Sequence, residues 1–158
     1  MNKLPLLLRH LTTQVTDELE AQRRLLELLD AQELAIQAAK PAEIIATGRA
    51  VEAEAAATAR RARHRDVLLT GFANLWNVKP GTLTFSSVIE RAGPAAAALR
   101  ETRDELRAAT ARVMRKARRI RTLAAAHQRL TLEILEALFA PESGGSVVDG
   151  GRLVNAEA

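Results

Sequence analysis

From Leu4 to Ile36 the chain can be laid on a heptad repeat, with Leu8, Val15, Gln22, Leu29 and Ile36 at one seam position and Leu4, Leu11, Glu18, Leu25 and Gln32 at the other. This spacing predicts a helix with one buried stripe. Glu18, Gln22 and Gln32 interrupt the seam while Leu19 and Leu26 widen it, which suits a bundle helix better than a strict dimeric zipper. The pair Lys40-Pro41 predicts a break. Proline has no amide donor and disfavours helix at the residue before it, yet it fits the first turn of a new helix. The first helix is therefore expected over about 2–39 and the second over about 42–77.

The second segment places Ile44, Gly48, Val51, Ala55, Thr58, Ala62, Leu69, Phe72 and Trp76 at seam spacing. Small side chains in its middle bury little area. At roughly 25 cal/mol per Å² of apolar surface, that section is expected to be the weakest-held part of the molecule. Lys79-Pro80-Gly81 then marks a turn. Two registers are open for a short helix over about 84–92. Thr84 can be its N-cap, with Leu83 and Val88 as a hydrophobic staple, or Ser87 can be the cap with Glu90 as its reciprocal partner. In either register Phe85, Val88 and Ile89 are expected to fold over Phe72 and a buried Trp76 and close that end.

A long helix over about 94–140 follows, free of proline and glycine after Pro94. Its stripe is Leu99, Leu106, Ala109, Val113, Ile120, Leu123, Leu130, Ile134 and Leu138. At 1.5 Å per residue it measures about 70 Å against about 50 Å for each of the first two, so it must overhang them or bend around them. Near its end Leu132, Leu135 and Phe139 form a second stripe at i, i+3, i+7. Two stripes call for two partners. The second is either a helix of another protein, or it is buried by the first two helices or by self-association. From Pro141 to Ala158 the chain has four glycines and few large apolar residues, too little to offset its ordering entropy. The expected fold class is thus all-α: an elongated antiparallel three-helix bundle or coiled coil, residues 1–140, with a short connecting helix and a flexible C-terminal tail over 141–158.

Composition agrees, with 47% hydrophobic but only 3% aromatic residues among many strong helix formers. It also narrows the chemistry. There is no cysteine. His10, His64 and His127 stand far apart with no Glu-x-x-His motif, and no phosphate loop, dinucleotide fingerprint or nucleophile elbow occurs. No catalytic, metal-binding or cofactor-binding residue is expected, and the chain reads as a non-enzyme. The apolar start LPLLLRHL is short and contains Arg9, and no run of eighteen apolar residues exists, so neither a signal peptide nor membrane insertion is expected and the address reads as cytoplasmic.

Charge is uneven around a net +4. Asp17 to Glu54 is acid-rich, whereas Leu106 to Leu132 carries bases and no acid, which suggests two antiparallel segments that complement each other. The run Arg112 to Arg121 spreads its bases over several helix faces and lacks interleaved aromatics for stacking, so a solvated or internally paired face is favoured over a basic docking surface that grips phosphates or an acidic partner.

The order of these parts resembles the FlgN-type flagellar export chaperones. The matching pieces are LLELLDAQELAIQAAKPAEIIA at Leu25 to Ala46, PGTLTFSSVIERAG at Pro80 to Gly93, and LAAAHQRLTLEILEALFAPESG at Leu123 to Gly144. The resemblance implies a cytoplasmic chaperone that binds the C-terminal helical regions of hook-filament junction proteins, FlgK and FlgL. It would prevent their premature assembly and deliver them to the flagellar type III export gate, with no small-molecule substrate. Carried over residue by residue, the family's binding region falls on Leu130, Leu132, Ile134, Leu135, Leu138 and Phe139. A structural coiled-coil or scaffold protein, and a basic nucleic-acid-associated protein using Arg112 to Arg121, remain the alternatives.

Overall fold

A computed structural model describes residues 3–139; the tail expected over 141–158 lies outside the described residues. The protein is all-α. Helix α1 spans Lys3–Gln37, α2 Pro41–Trp76, the short α3 Phe85–Ala92 and α4 Ala97–Phe139. Helix α1 occupies the middle. It packs along both α2 and α4, which hardly meet each other.

Each long helix ends for a local reason. After α1, Lys40 N donates to Ala35 O and Ala39 N to Ile36 O, a double closure that puts Ala39 in the left-handed region at φ 50°. The chain then re-enters helix at Pro41, whose missing donor is among those left orphaned in a first turn. Helix α2 closes in the same way through Val78 N to Ala73 O and Asn77 N to Asn74 O, with Asn77 at φ 51°. Asparagine tolerates that conformation better than the alanine that ends α1.

Of the two registers open for α3, the structure takes the first. Thr84 is the cap: its hydroxyl accepts from Ser87 N at 3.2 Å, while Ser87 Oγ accepts from Thr84 N at 2.7 Å. Ser87 is therefore the reciprocating third residue, because the extended backbone that a cap requires falls at Thr84. Leu83 and Val88 both join the core beneath, as a staple does. The route into α4 is tighter than expected. Gly93, at φ 59°, opens a single 3-10 turn over Gly93–Ala96, and the α-helix proper starts at Ala97. A side chain there would strain the turn.

The interior has two separate clusters. One, at the α3 end, joins Leu8, Leu11 and Val15 of α1 to Phe72, Val88, Ile89, Ala96 and Leu99. Its largest members, Phe72, Leu11 and Leu99, are fully buried, each contributing about 1.5–3 kcal/mol relative to exposure. Trp76 lies at the rim. It is only half-buried, 5.3 Å from the Phe72 ring, with the Arg91 guanidinium stacked 4.9 Å above it. The expected burial of Trp76 is thus corrected, because α3 places Val88 and Ile89 rather than the indole at the centre. The other cluster joins Leu25, Leu29 and Ile36 of α1 to Val113 and Ile120 of α4, with Ile44 and Val51 of α2 at its edge.

Between the clusters α1 presents polar groups. Gln14 and Glu18 are buried: Gln14 Nε2 donates to Arg61 O at 3.1 Å, and Glu18 pairs with Arg65 at 2.7 Å. The two helices run antiparallel: Leu7 lies beside Gly71, Arg24 reaches Glu54 and Gln32 lies beside Gly48. The acid-base complementarity between α1 and α4 runs the other way, with Arg23 bonded to Glu105 and Lys116 and Arg119 reaching Asp30 and Glu33. The two segments expected to be antiparallel are parallel, since an up-down-up path returns the third long helix to the direction of the first. In α2 only Phe72 and Ala73 are fully buried, in keeping with its small-sided middle.

Candidate partner-binding surface

Helix α1 ends at Gln37, and the α4 residues that accompany its last turns are Ile120 and Leu123. Beyond Leu123 every α4 residue to Phe139 is exposed. The helix therefore projects past the bundle by about 24 Å. No proline or glycine interrupts it, and the backbone stays α-helical to Phe139 without support from the bundle.

All six residues of the sequence-based candidate surface lie on this projection. Leu130, Leu132, Ile134 and Leu135 are about half exposed, while Leu138 and Phe139 reach 72% and 79%. None is covered by α1 or α2, which removes burial by the first two helices as the account of the second stripe. Stepping 100° per residue, the two stripes merge into one apolar arc roughly 200° wide, running from Leu130 through Ile134, Leu138, Leu135 and Phe139 to Leu132. The opposite wedge holds Arg129, Glu133 and Glu136, with Arg129 and Glu133 3.7 Å apart. Six large apolar side chains on one short stretch make a patch of the kind that marks a protein-interaction site.

The basic run divides into two parts. Lys116 hydrogen-bonds Asp30 and Glu33, and those carboxylates raise its pKa above the usual 10.5 against the opposing effect of desolvation. Arg119 Nε sits 2.7 Å from Glu33 Oε1. Arg112, Arg115, Arg118 and Arg121 are exposed and form no ion pair among the described residues. The histidines His10, His64 and His127 each lie exposed on a different helix. Among the described residues no cluster of His, Asp or Glu is arranged to hold a metal ion, and no helix is long and apolar enough to cross a membrane.

A groove beside α3 was not anticipated from the sequence. An open, mainly apolar groove of about 570 Å³ lies between the start of α3 and α4, floored by Phe85, Leu106, Ala111 and Met114 and edged by Arg103 and Arg107. Met114 is 52% exposed. Its signal in the sequence was a large apolar residue immediately beside the main stripe position Val113, where a solvated face would carry a polar one.

Searches of curated proteins and of solved structures give no match. The family model described as FlgN protein matches residues 1–147, which takes in all four helices and the whole projecting end of α4. The chain accordingly belongs to the FlgN protein family, the family of flagellar export chaperones.

Proposed function

We propose that the protein is a cytoplasmic chaperone for hook-filament junction proteins of the FlgK and FlgL kind. It holds their C-terminal helical regions against premature assembly and hands them to the flagellar export gate. The observation that carries this reading is the projecting end of α4, where Leu130, Leu132, Ile134, Leu135, Leu138 and Phe139 stay exposed on one helix with none of the described residues of the bundle packed on them. A client segment that polymerises through an apolar helical stripe needs that stripe covered until export. A free helix with an arc wider than a coiled-coil seam can cover it without unfolding either partner. Release is accessible because such contact orders one helix pair only, and the cost of association offsets much of the area gained. No step in this role requires bond chemistry, a metal or a cofactor.

The test is co-expression of FlgK-like and FlgL-like C-terminal helical fragments with the tagged chain and with its Leu135→Glu/Leu138→Glu variant. The expected outcome is co-purification with the parent and loss with the variant at an unchanged melting temperature. Equal recovery on both would remove the α4 end from the binding role. A parent that recovers neither fragment and sediments as a discrete oligomer would favour a scaffold.

A further inference from the structure

The projecting arc and the groove beside α3 lie on the same side of α4. Taking Leu106 as origin and 100° per residue, Thr110, Met114, Leu132, Leu135 and Phe139 all fall on one side of it, between 0° and about 80°. Val113 and Ile120, which face α1, fall about 20° and 40° to its other side, so the lane flanks the α1-facing stripe. The groove floor and the second stripe are thus two ends of one lane along α4, about 50 Å from Leu106 to Phe139. Between them the lane carries no large apolar residue. It holds small side chains, Gln128 and two exposed arginines, Arg121 near its midline and Arg118 at its margin, with Arg107 on the same margin beside the groove. None of these three arginines has an acidic partner among the described residues, whereas Lys116 and Arg119 on the α1-facing side do.

We infer that this lane docks a single amphipathic helix of about 30–35 residues, apolar at both ends of one face and acidic in the middle. The inference rests on the chaperone reading of the projecting end and adds the rest of the footprint and the chemistry of the client. Charge complementarity selects the occupant. Guanidinium groups without internal partners match carboxylates, and each end of the lane supplies an apolar seat for the partner's own stripe. A nucleic-acid duplex is the weaker fit, because a phosphate backbone would engage the arginines and leave both apolar seats uncovered. The docked helix would lie alongside α3 and the Phe85 ring at one end and beyond the bundle at the other.

The test uses the full chain and two synthetic 35-residue helical peptides with leucines at both ends of one face, one with glutamates and one with lysines in the central third. By calorimetry the glutamate peptide is expected to bind at least about tenfold tighter and to weaken as salt is raised. Arg118→Glu/Arg121→Glu should abolish or reverse that preference, and Met114→Glu should weaken both peptides about tenfold. All three side chains are exposed, so unchanged circular dichroism is expected to accompany these losses. Equal binding of the two peptides, or a preference untouched by the double charge reversal, would overturn the lane while leaving the projecting arc in place. Loss of binding in Leu135→Glu with none in Met114→Glu would overturn it in the same way. Binding unaffected by Leu135→Glu would instead sink the chaperone reading on which the lane depends. Dimerisation of the parent that disappears in Met114→Glu would assign the groove to a second copy, and displacement of the glutamate peptide by equimolar duplex DNA would assign the arginines to phosphate; either result overturns the proposal.

Discussion

Ending the chain after Leu123 separates the bundle from its projection, and the structure sets the size of the effect. Both buried clusters draw on α4 only up to Ile120 and Leu123, and every later residue to Phe139 is exposed. Removal of exposed groups typically changes stability by no more than about 0.5 kcal/mol, and that is the expected loss here. The competing case is well separated. If α4 folded back and buried its six large apolar side chains on the bundle, each would contribute about 1.5–3 kcal/mol, and truncation would cost on the order of 5 kcal/mol or more even with partial burial. Urea denaturation of the full and truncated chains distinguishes the two, followed by circular dichroism for the whole fold and by fluorescence of Trp76, the sole tryptophan, for the α3-end cluster. The truncated chain should unfold at the parent's midpoint in both signals and should no longer capture a client helix. A loss above about 2 kcal/mol would refute the argument that the end of α4 stands free.

Ala39→Gly should stabilise the protein by about 1 kcal/mol, because alanine holds a left-handed φ of 50° that glycine adopts without steric cost; a lower midpoint in thermal melting would contradict the closure described for α1. Phe72→Ala, at a fully buried site, should cost about 3–5 kcal/mol, whereas the half-buried Trp76→Ala should cost clearly less; equal losses in chemical denaturation would place the indole in the core after all. The hydrogen bonds that Lys116 donates to Asp30 and then to Glu33 raise its pKa. Their contribution to stability is therefore complete below the unfolded value of 10.5 and fades as pH rises through the higher folded one. With neither tyrosine nor cysteine in the chain to titrate nearby, the parent's melting temperature should fall more steeply above pH 10.5 than that of Lys116→Met, and parallel curves would refute the linkage.

What could be read in the sequence was what neighbouring residues decide. The heptad over α1 named its buried face closely: Leu8, Leu11, Val15, Glu18, Gln22, Leu25, Leu29 and Ile36 are all buried. The breaks followed from proline, glycine and a capping threonine, whose effects reach only a few residues. The six residues of the projecting end stood in the sequence as two stripes on one helix, and it was the family resemblance that marked them as a binding region. Features that depend on how helices are arranged in space were not readable. Glu18 looked like a flaw in the seam until α2 brought Arg65 to it. The pairing of Lys116 with Asp30 and Glu33 depends on α4 running parallel to α1, and the groove beside Phe85 depends on how the start of α3 is set against α4, which no local pattern encodes.

The small-sided middle of α2 also decides the order in which the molecule comes apart. Between Ile44 and Leu68 this helix buries no side chain completely, and its hold on α1 rests on a few partly covered groups and the pairings of Glu18, Arg24 and Gln14. A stretch held so lightly opens on its own, at a fraction of the free energy needed to unfold the whole. Arg49, Arg60 and Arg63 lie along it, exposed to a trypsin-like protease whenever it does. Limited digestion would then cut the hairpin of α1 and α2 first. The corner built on Phe72, Val88 and Leu99 would be left intact, and with it the seat from which α4 reaches outward.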